Sequence, residues 1–463
     1  VPAGPAEGTS SGSRDPEVLC VDFGSTYTKA TLVDLATGVV VGRTEHRTTI
    51  DTDVLDGLDA CLATLGLADA VGRGEVPVLA CSSAGGGLRI AVVGNEELVT
   101  AEAGRRVALS SGGKVVAVVA AAAGPVELGA LADPDVVLLT GGTDGGNAEV
   151  IIAATRSLVG SGWRGPVVVA GNADAVEEVS ALLGDVPHVV AANVVPQIGV
   201  LHPDGARAAV REMFLSHVIG GKELSARGDG EEFVAMVRGA TPDVVLTGVE
   251  VLAASAGDVV VVDVGGATTD VHSVVDLDPE DGALARDVVA PTAVTRTVEG
   301  DLGMRWSAVT TAEAAGDDTL AAAAARRTAD PAYLPESDAD RDDDEAIARA
   351  AAGLALRRHA GRSRVVVGPE GRVVERTGTD LREVDLVVAS GGALRHGRPG
   401  VVDRVLAGST GPAVEGGWQL PERARVVLDA DHVLAAVGLL AAEHPGTARL
   451  LAGSLLGAPR VAR

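Results

Sequence analysis

The sequence predicts an α/β fold built from two duplicated lobes, and three observations lead there. Short Val- and Leu-rich runs alternate with helical spacings over most of the chain. A strand–turn–strand unit near the start, VDFGSTYTK at Val21–Lys29, returns as VDVGGATTD at Val262–Asp270, an offset of 241 residues. Two more matches keep the order. DVVLLTGG at Asp135–Gly142 answers DLVVASGG at Asp385–Gly392, and VVVAGNADAV from Val167 answers VVLDADHVLA from Val426, at offsets of 250 and 259. Three matches in one order indicate an internal duplication with modest insertions.

Taken along the chain, residues 1–16 (VPAGPAEGTSSGSRDP) carry no apolar run and are expected to form a flexible tail, not a signal peptide. Val18–Val21 is an apolar strand that meets Asp22, a Gly/Ser/Thr turn and a second strand, Lys29–Asp34; a third follows at Val39–Thr44. Val54–Leu65 has helical spacing, with Asp51 or Asp53 as N-cap. Val76–Ser82, Val115–Ala120, Val136–Thr140 and Val167–Ala170 are strands, and Ala148–Val159 and Ala173–Leu183 are helices. Residues 196–240 break the pattern with a helical stretch, Ala206–Val218. Here Met213, Phe214 and Phe233 either pack the linker onto its own lobe or anchor a partner. Strands restart at Asp258–Asp263. The first lobe is therefore expected over 17–245, including linker helices, and the second over 246–463. An acidic, Ala- and Arg-rich insertion is expected near 312–362, with SDADRDDDE as a solvated loop or helix start.

Composition excludes several classes of function. The 463 residues hold 38 basic and 64 acidic side chains, a net charge of −26, which disfavours non-specific nucleic-acid binding and anionic lipid. Three cysteines with no C-x-x-C pair support neither a disulfide framework nor a zinc ribbon. The most apolar stretch, Val115–Val126, is shorter than the roughly 20 residues a membrane span needs. A soluble, cytoplasmic protein is the expectation. Among the basic residues only Lys29, Lys114 and Lys222 are lysines, so each invites a question about chemistry.

Asp22–Lys29 joins a strand-end carboxylate to a small polar turn. Gly24 lets backbone approach an anion, Ser25 and Thr26 add hydroxyls, Asp22 can hold magnesium through water, and Lys29 is a candidate phosphate contact. The same residues would also serve an ordinary hairpin. Asp263–Asp270 repeats the plan with Gly265, Gly266, Ala267 and Thr268, and two such hairpins can grip one polyphosphate from opposite sides. Gly391 and Gly392 follow a buried strand in a turn small enough to admit a flat base and ribose. Gly141–Asn147 (GGTDGGN) is either a Gly-rich helix entry or a cleft or partner element, and Glu299-Gly300-Asp301 either a turn or a cleft element.

These three motifs, in this order, resemble the phosphate-1, phosphate-2 and adenosine motifs of the actin, sugar-kinase and heat-shock-chaperone ATPase superfamily. Further strings narrow the resemblance: CSSAGGGLRIAVVG (Cys81–Gly94), VVLLTGGTDGGN (Val136–Asn147), VVVAGNADA (Val167–Ala175) and RTVEGDLGMRWSA (Arg296–Ala308). With DFGSTYTK they are similar to the MutL/GlmL family, accessory proteins encoded with adenosylcobalamin-dependent glutamate mutase and distinct from the mismatch-repair MutL. The similarity runs from about Glu17 to Leu440. It implies two ribonuclease-H-like lobes around ATP and magnesium, and a reactivating role toward the subunits of a cobalamin mutase. Asp22 and Asp263 would organise magnesium or the attacking water, and Gly391 and Gly392 would face adenosine. A small-molecule kinase and a nucleotide-binding scaffold without turnover remain as alternatives.

Overall fold

The computed structural model describes residues 16–84, 88–95, 100–111, 113–121, 125–276, 292–368, 371–411 and 417–457; nearly all of the expected tail and Gly85–Gly87 lie outside them. β1 (Glu17–Phe23), β2 (Tyr27–Asp34) and β3 (Val40–Arg47) form an antiparallel meander. Helix α1 (Val54–Leu65) follows, and its N-cap is Asp53, whose carboxylate accepts the Leu55 N–H at 2.9 Å. β4 (Val78–Ser82) returns parallel to β1. β1 is buried on both faces because a helical layer covers each side, so it lacks the polar alternation of a half-exposed strand.

A second sheet is then inserted. It comprises β5 (Leu88–Gly94), α2 (Glu102–Ser110), β6 (Gly113–Ala120), β7 (Val136–Leu139), α3 (Glu149–Gly160), β8 (Val167–Val169), α4 (Val176–Leu183) and β9 (His188–Val190). All its pairings are parallel, in the order β6-β5-β7-β8-β9. Helix α5 (Asp204–Met213) leads back, and β10 (Val237–Ala240) completes the first sheet in the order β3-β2-β1-β4-β10.

Helix α6 (Thr241–Ala256) crosses to the second lobe. There β11 (Val259–Val264), β12 (Thr269–Val274) and β13 (Val294–Glu299) form the second meander. α7 (Ala308–Ala315), α8 (Ala321–Ala329) and α9 (Asp338–His359) follow, then the hairpin β14 (Arg362–Gly368) and β15 (Gly371–Thr377). β16 (Leu386–Ser390) and β17 (Arg425–Leu428) close the sheet as β13-β12-β11-β16-β17, and α10 (Val433–Leu440) and α11 (Pro445–Gly457) end it. Each lobe thus has strand order 3-2-1-4-5 with only the second strand reversed, the ribonuclease-H-like arrangement. The fold is the expected pair of duplicated lobes.

The repeat differs in detail from the sequence reading. The hairpins at Val21 and Val262 are equivalent, but β7 and β8 belong to the inserted sheet, so the second and third matches do not. The true counterparts of β16 and β17 are β4 and β10. Any buried parallel strand reads as a short Val/Leu run ending in small residues, so the local pattern cannot tell the two sheets apart. α9 begins in the acidic stretch, with a Ser337–Asp340 capping box, and packs into the second lobe's core through Ile347, Ala351, Ala352, Ala355 and Leu356. Asp344 and Glu345 are buried and bound by Arg305 and Arg327, and by Arg398 and Arg404. The cluster SDADRDDDE is therefore a helix start, one of its two expected readings, with only Asp344 and Glu345 buried.

Between the sheets lie α6 and α10. They cross so closely that a Cβ on Gly248 would sit 2.2 Å from the Leu434 carbonyl oxygen, and one on Gly438 would sit 1.9 Å from that of Val244. With Val18, Cys20, Val261 and Val388 they form one apolar layer shared by both lobes. Met213, Phe214 and Phe233 are at most 1% exposed and belong to the first lobe's core, with the Phe233 ring edge-on to Phe23 at 5.1 Å. They are packing residues, which removes the partner-anchor reading for these side chains.

Candidate functional site

The two strand-end turns have the same backbone geometry. The Gly24 N–H donates to the Tyr27 carbonyl at 3.1 Å, and the Gly265 N–H donates to the Thr268 carbonyl at 2.9 Å. Behind each turn the carbonyls are taken. Thr48 donates from its hydroxyl to Gly24 O and from its N–H to Thr26 O, at 2.8 and 3.0 Å. In the second lobe Met304 N–H reaches Gly265 O, Arg305 and Trp306 N–H reach Gly266 O, and the Ser307 hydroxyl reaches Ala267 O, all at 2.7–3.0 Å. The EGDLGMRW string is therefore the strap that holds the second turn. In front, the N–H groups of Ser25, Thr26, Gly266 and Ala267 have no acceptor among the described residues. The turns meet: a Cβ on Gly266 would lie 3.3 Å from Thr26 Oγ1, a buried hydroxyl with no partner. Gly391, at φ 110°, rests on β11, where a Cβ would strike Val264 O at 2.2 Å; Gly392 has open space around it.

The carboxylates are less alike than their turns. Asp22 is buried; its Oδ1 accepts from the Thr241 hydroxyl at 2.7 Å and the Cys81 thiol at 3.6 Å. Its Oδ2 lies 3.4 Å from Lys29 Nζ and 3.2 Å from His432 Nε2. Burial pulls this carboxyl upward, but Lys29, His432 and Thr241 outweigh it and hold it well below the usual carboxylate range. Lys29 also lies 3.2 Å from His432 Nε2, so the expected phosphate lysine sits on Asp22. Asp263 is half-buried and pairs in register with Asp270. Burial raises the Asp270 carboxyl despite fully buried Arg296, whose Nη2 is 3.2 Å from Asp270 Oδ2. The Asp263 carboxylate has no hydrogen-bond or ion-pair partner among the described residues.

Donors free in front of both turns, an orphaned hydroxyl between them and a free carboxylate beside them fit a polyphosphate with a hydrated divalent cation. Among the described residues no cluster of three or more His, Cys, Asp or Glu side chains could hold a metal directly. Sequence reasoning missed Thr241 and His432, which come from distant elements, and the ion pair of Arg296 on β13 with Asp270 on the neighbouring β12. Two surface hollows, of about 480 and 350 Å³, lie away from these turns, beside Pro125 and Ser157 and beside Thr247 and Arg449. No helix among the described residues is long and apolar enough to cross a membrane.

The family model described as MutL protein matches residues 18–455. Protein MutL of Clostridium tetanomorphum is 35% identical over 455 residues, covering 93% of this chain and 97% of that one. Among solved structures, a nucleotide-free acetone carboxylase covers 92% of this chain and 70% of its own, at 15% identity and a TM-score of 0.42. The ethanolamine utilization protein EutJ from Carboxydothermus hydrogenoformans covers 92% and 90%, at 10% identity and a TM-score of 0.32. The fold assignment rests on strand order rather than on these scores.

Proposed function

This chain is a member of the MutL family, and on that premise we propose that it binds and hydrolyses ATP with magnesium between its lobes, and uses lobe movement to act on the subunits of an adenosylcobalamin-dependent mutase. The observation that carries the nucleotide reading is the facing pair of turns, with carbonyls tied back and N–H groups left forward. Gly24, Ser25, Thr26 and Gly265–Thr268 would cradle the phosphates, and Gly391 and Gly392 would border adenosine.

Water adds to the γ-phosphorus as the bond to the β-phosphate oxygen breaks, giving ADP and phosphate. Asp263, free of protein partners, orients that water and takes up its proton before releasing it to solvent. It is also the residue that would hold hydrated magnesium, whose charge would offset that of the phosphates. Asp22 already has its cation in Lys29; it ties the first turn to Thr241 of α6 and to His432, which precedes α10. A change at the phosphates thereby reaches both helices that join the lobes.

The test has two arms. Phosphate release from ATP should fall about a hundredfold in Asp263→Ala, with the fold retained. Purified protein should also recover mutase subunits from its source cell in a nucleotide-dependent way. No ATP binding at millimolar concentration sinks the nucleotide reading, and phosphorylated sugars or acids among the products would favour a kinase.

A further inference from the structure

The chain has three lysines, and two are neutralised in place: Lys29 by Asp22 and Lys222 by Asp135, at 3.4 and 3.3 Å. Lys114 differs. It stands at the start of β6, the edge strand of the inserted sheet, and has no ion-pair partner among the described residues. The side chain is exposed, and its ammonium lies close to the second lobe: a Cβ on Gly300 would be 3.2 Å from Nζ and 3.5 Å from Cε. Gly300 stands between Glu299 and Asp301, yet both carboxylates are held by Arg358, at 2.6 and 2.7 Å. No ion pair among the described residues holds the ammonium there.

The Gly300 turn is bound to the second phosphate turn. The Ser307 Oγ lies within hydrogen-bond distance of both, 2.7 Å from Ala267 O and 3.0 Å from Gly300 O, and shares its one proton between them. The inserted sheet therefore delivers an unpaired ammonium beside the strap that carries Gly265–Ala267. A lysine ammonium is a compact charge with three donors on a flexible stem, suited to a terminal phosphate that arrives and leaves.

We propose that Lys114 is a catalytic residue of the ATP site, contributed by the inserted sheet, and that it contacts the γ-phosphate and neutralises the charge that collects there as the bond to the β-phosphate breaks. This rests on the nucleotide reading above. It also gives the inserted sheet a function: a group outside both duplicated lobes would report the presence of the third phosphate.

The experiment compares ATP and ADP binding by titration, phosphate release and melting in the full chain, using Lys114→Met, Lys114→Arg and Gly300→Ala. The Met variant should bind ATP at least tenfold more weakly, with ADP affinity within about twofold and melting without nucleotide unchanged. Its phosphate release should fall about a hundredfold. Lys114→Arg should recover part of the ATP preference, and Gly300→Ala, whose methyl the flexible lysine stem clears by a few tenths of an ångström, should keep the ATP preference of wild type. Equal affinities in wild type and Lys114→Met overturn the proposal. So do equal losses for ATP and ADP accompanied by a lower melting temperature, which would make Lys114 an interdomain strut. If Asp263→Ala abolishes turnover while Lys114→Met retains it, this inference alone falls; if the wild type binds no nucleotide, it falls together with the nucleotide reading.

Discussion

Thr26→Val sets stability against binding with opposite signs. Thr26 Oγ1 is buried against Gly266 and has no partner. A buried polar group left unsatisfied costs about 1–3 kcal/mol, and valine keeps the shape while removing the hydroxyl. The nucleotide-free variant should therefore be at least as stable as wild type, by up to about 2 kcal/mol, and should melt a few degrees higher. ATP should then help it less. A ligand at a hundred times its Kd stabilises by about 2.7 kcal/mol, and a tenfold loss of affinity takes back about 1.4 kcal/mol of that. Thermal melts with and without ATP and magnesium read both effects on one sample. Wild type should gain more from ATP, and the variant should start higher. If Thr26→Val lowers the nucleotide-free melting temperature, the hydroxyl is satisfied in the free protein. If it leaves the ATP shift unchanged, the hydroxyl does not face the phosphates.

Three further outcomes follow from packing and titration. Phe214→Ala should destabilise by about 3–5 kcal/mol in a chemical-denaturation curve, because the ring is 1% exposed within the first lobe's core; mutase recovery by the remaining folded protein should be normal. Gly438→Ala should lower the melting temperature sharply, since the added methyl would lie 1.9 Å from a backbone oxygen of α6, and Gly248→Ala should do the same from the other helix. His359 is fully buried, its nitrogens 2.8 Å from Ser273 Oγ and 3.1 Å from Thr297 Oγ1, and burial pushes it down to about 4 from 6.5. Because the folded value is the lower one, its contribution is complete above pH 6.5 and is lost as pH falls toward 4. Denaturation across that window should show His359→Gln losing less stability than wild type, by as much as about 3 kcal/mol.

The hairpins were legible because each carries its whole signal within nine residues: an apolar run, Asp, a small turn and a second strand. The inserted sheet was invisible as a separate unit. Its strands β7 and β8 read like β16 and β17 as short apolar runs that end in small or turn-forming residues, and nothing in that pattern separates the two sheets. Only hydrogen-bond pairing separates them, and pairing is a long-range property. A signal was present in CSSA at Cys81–Ala84, which follows β4 as SGGA follows β16. Thr241 and His432 were unreadable for a related reason. They approach Asp22 over separations of 219 and 410 residues, with no local pattern to announce them. The strap EGDLGMRW is distinctive as a string, but its work is done by backbone N–H groups and one serine, which sequence cannot display.

Duplication makes the site symmetric in backbone, and substitution then makes it asymmetric in charge. Lys29 and Asp270 occupy equivalent positions, each directly across the register from its lobe's strand-end aspartate. In the first lobe the pair is carboxylate and ammonium, and the local charge is balanced. In the second it is two carboxylates, with buried Arg296 attached to the outer one. Two identical half-sites would present two equal claims on one magnesium ion and one water. Neutralising Asp22 in place removes one claim and leaves Asp263 as the carboxylate able to take a further cation. The prediction this makes is directional. Lys29→Met should leave Asp22 buried without its cation, destabilising the first lobe and raising the pH at which acid unfolds the protein, because a carboxyl held low stabilises the fold only above its unfolded value. Asp270→Asn should relieve repulsion at Asp263 but strip buried Arg296 of its carboxylate, and so lower stability at neutral pH. The acid-denaturation midpoint of Lys29→Met against wild type decides the matter, and an unmoved midpoint would mean that Lys29 does not hold the Asp22 carboxyl low.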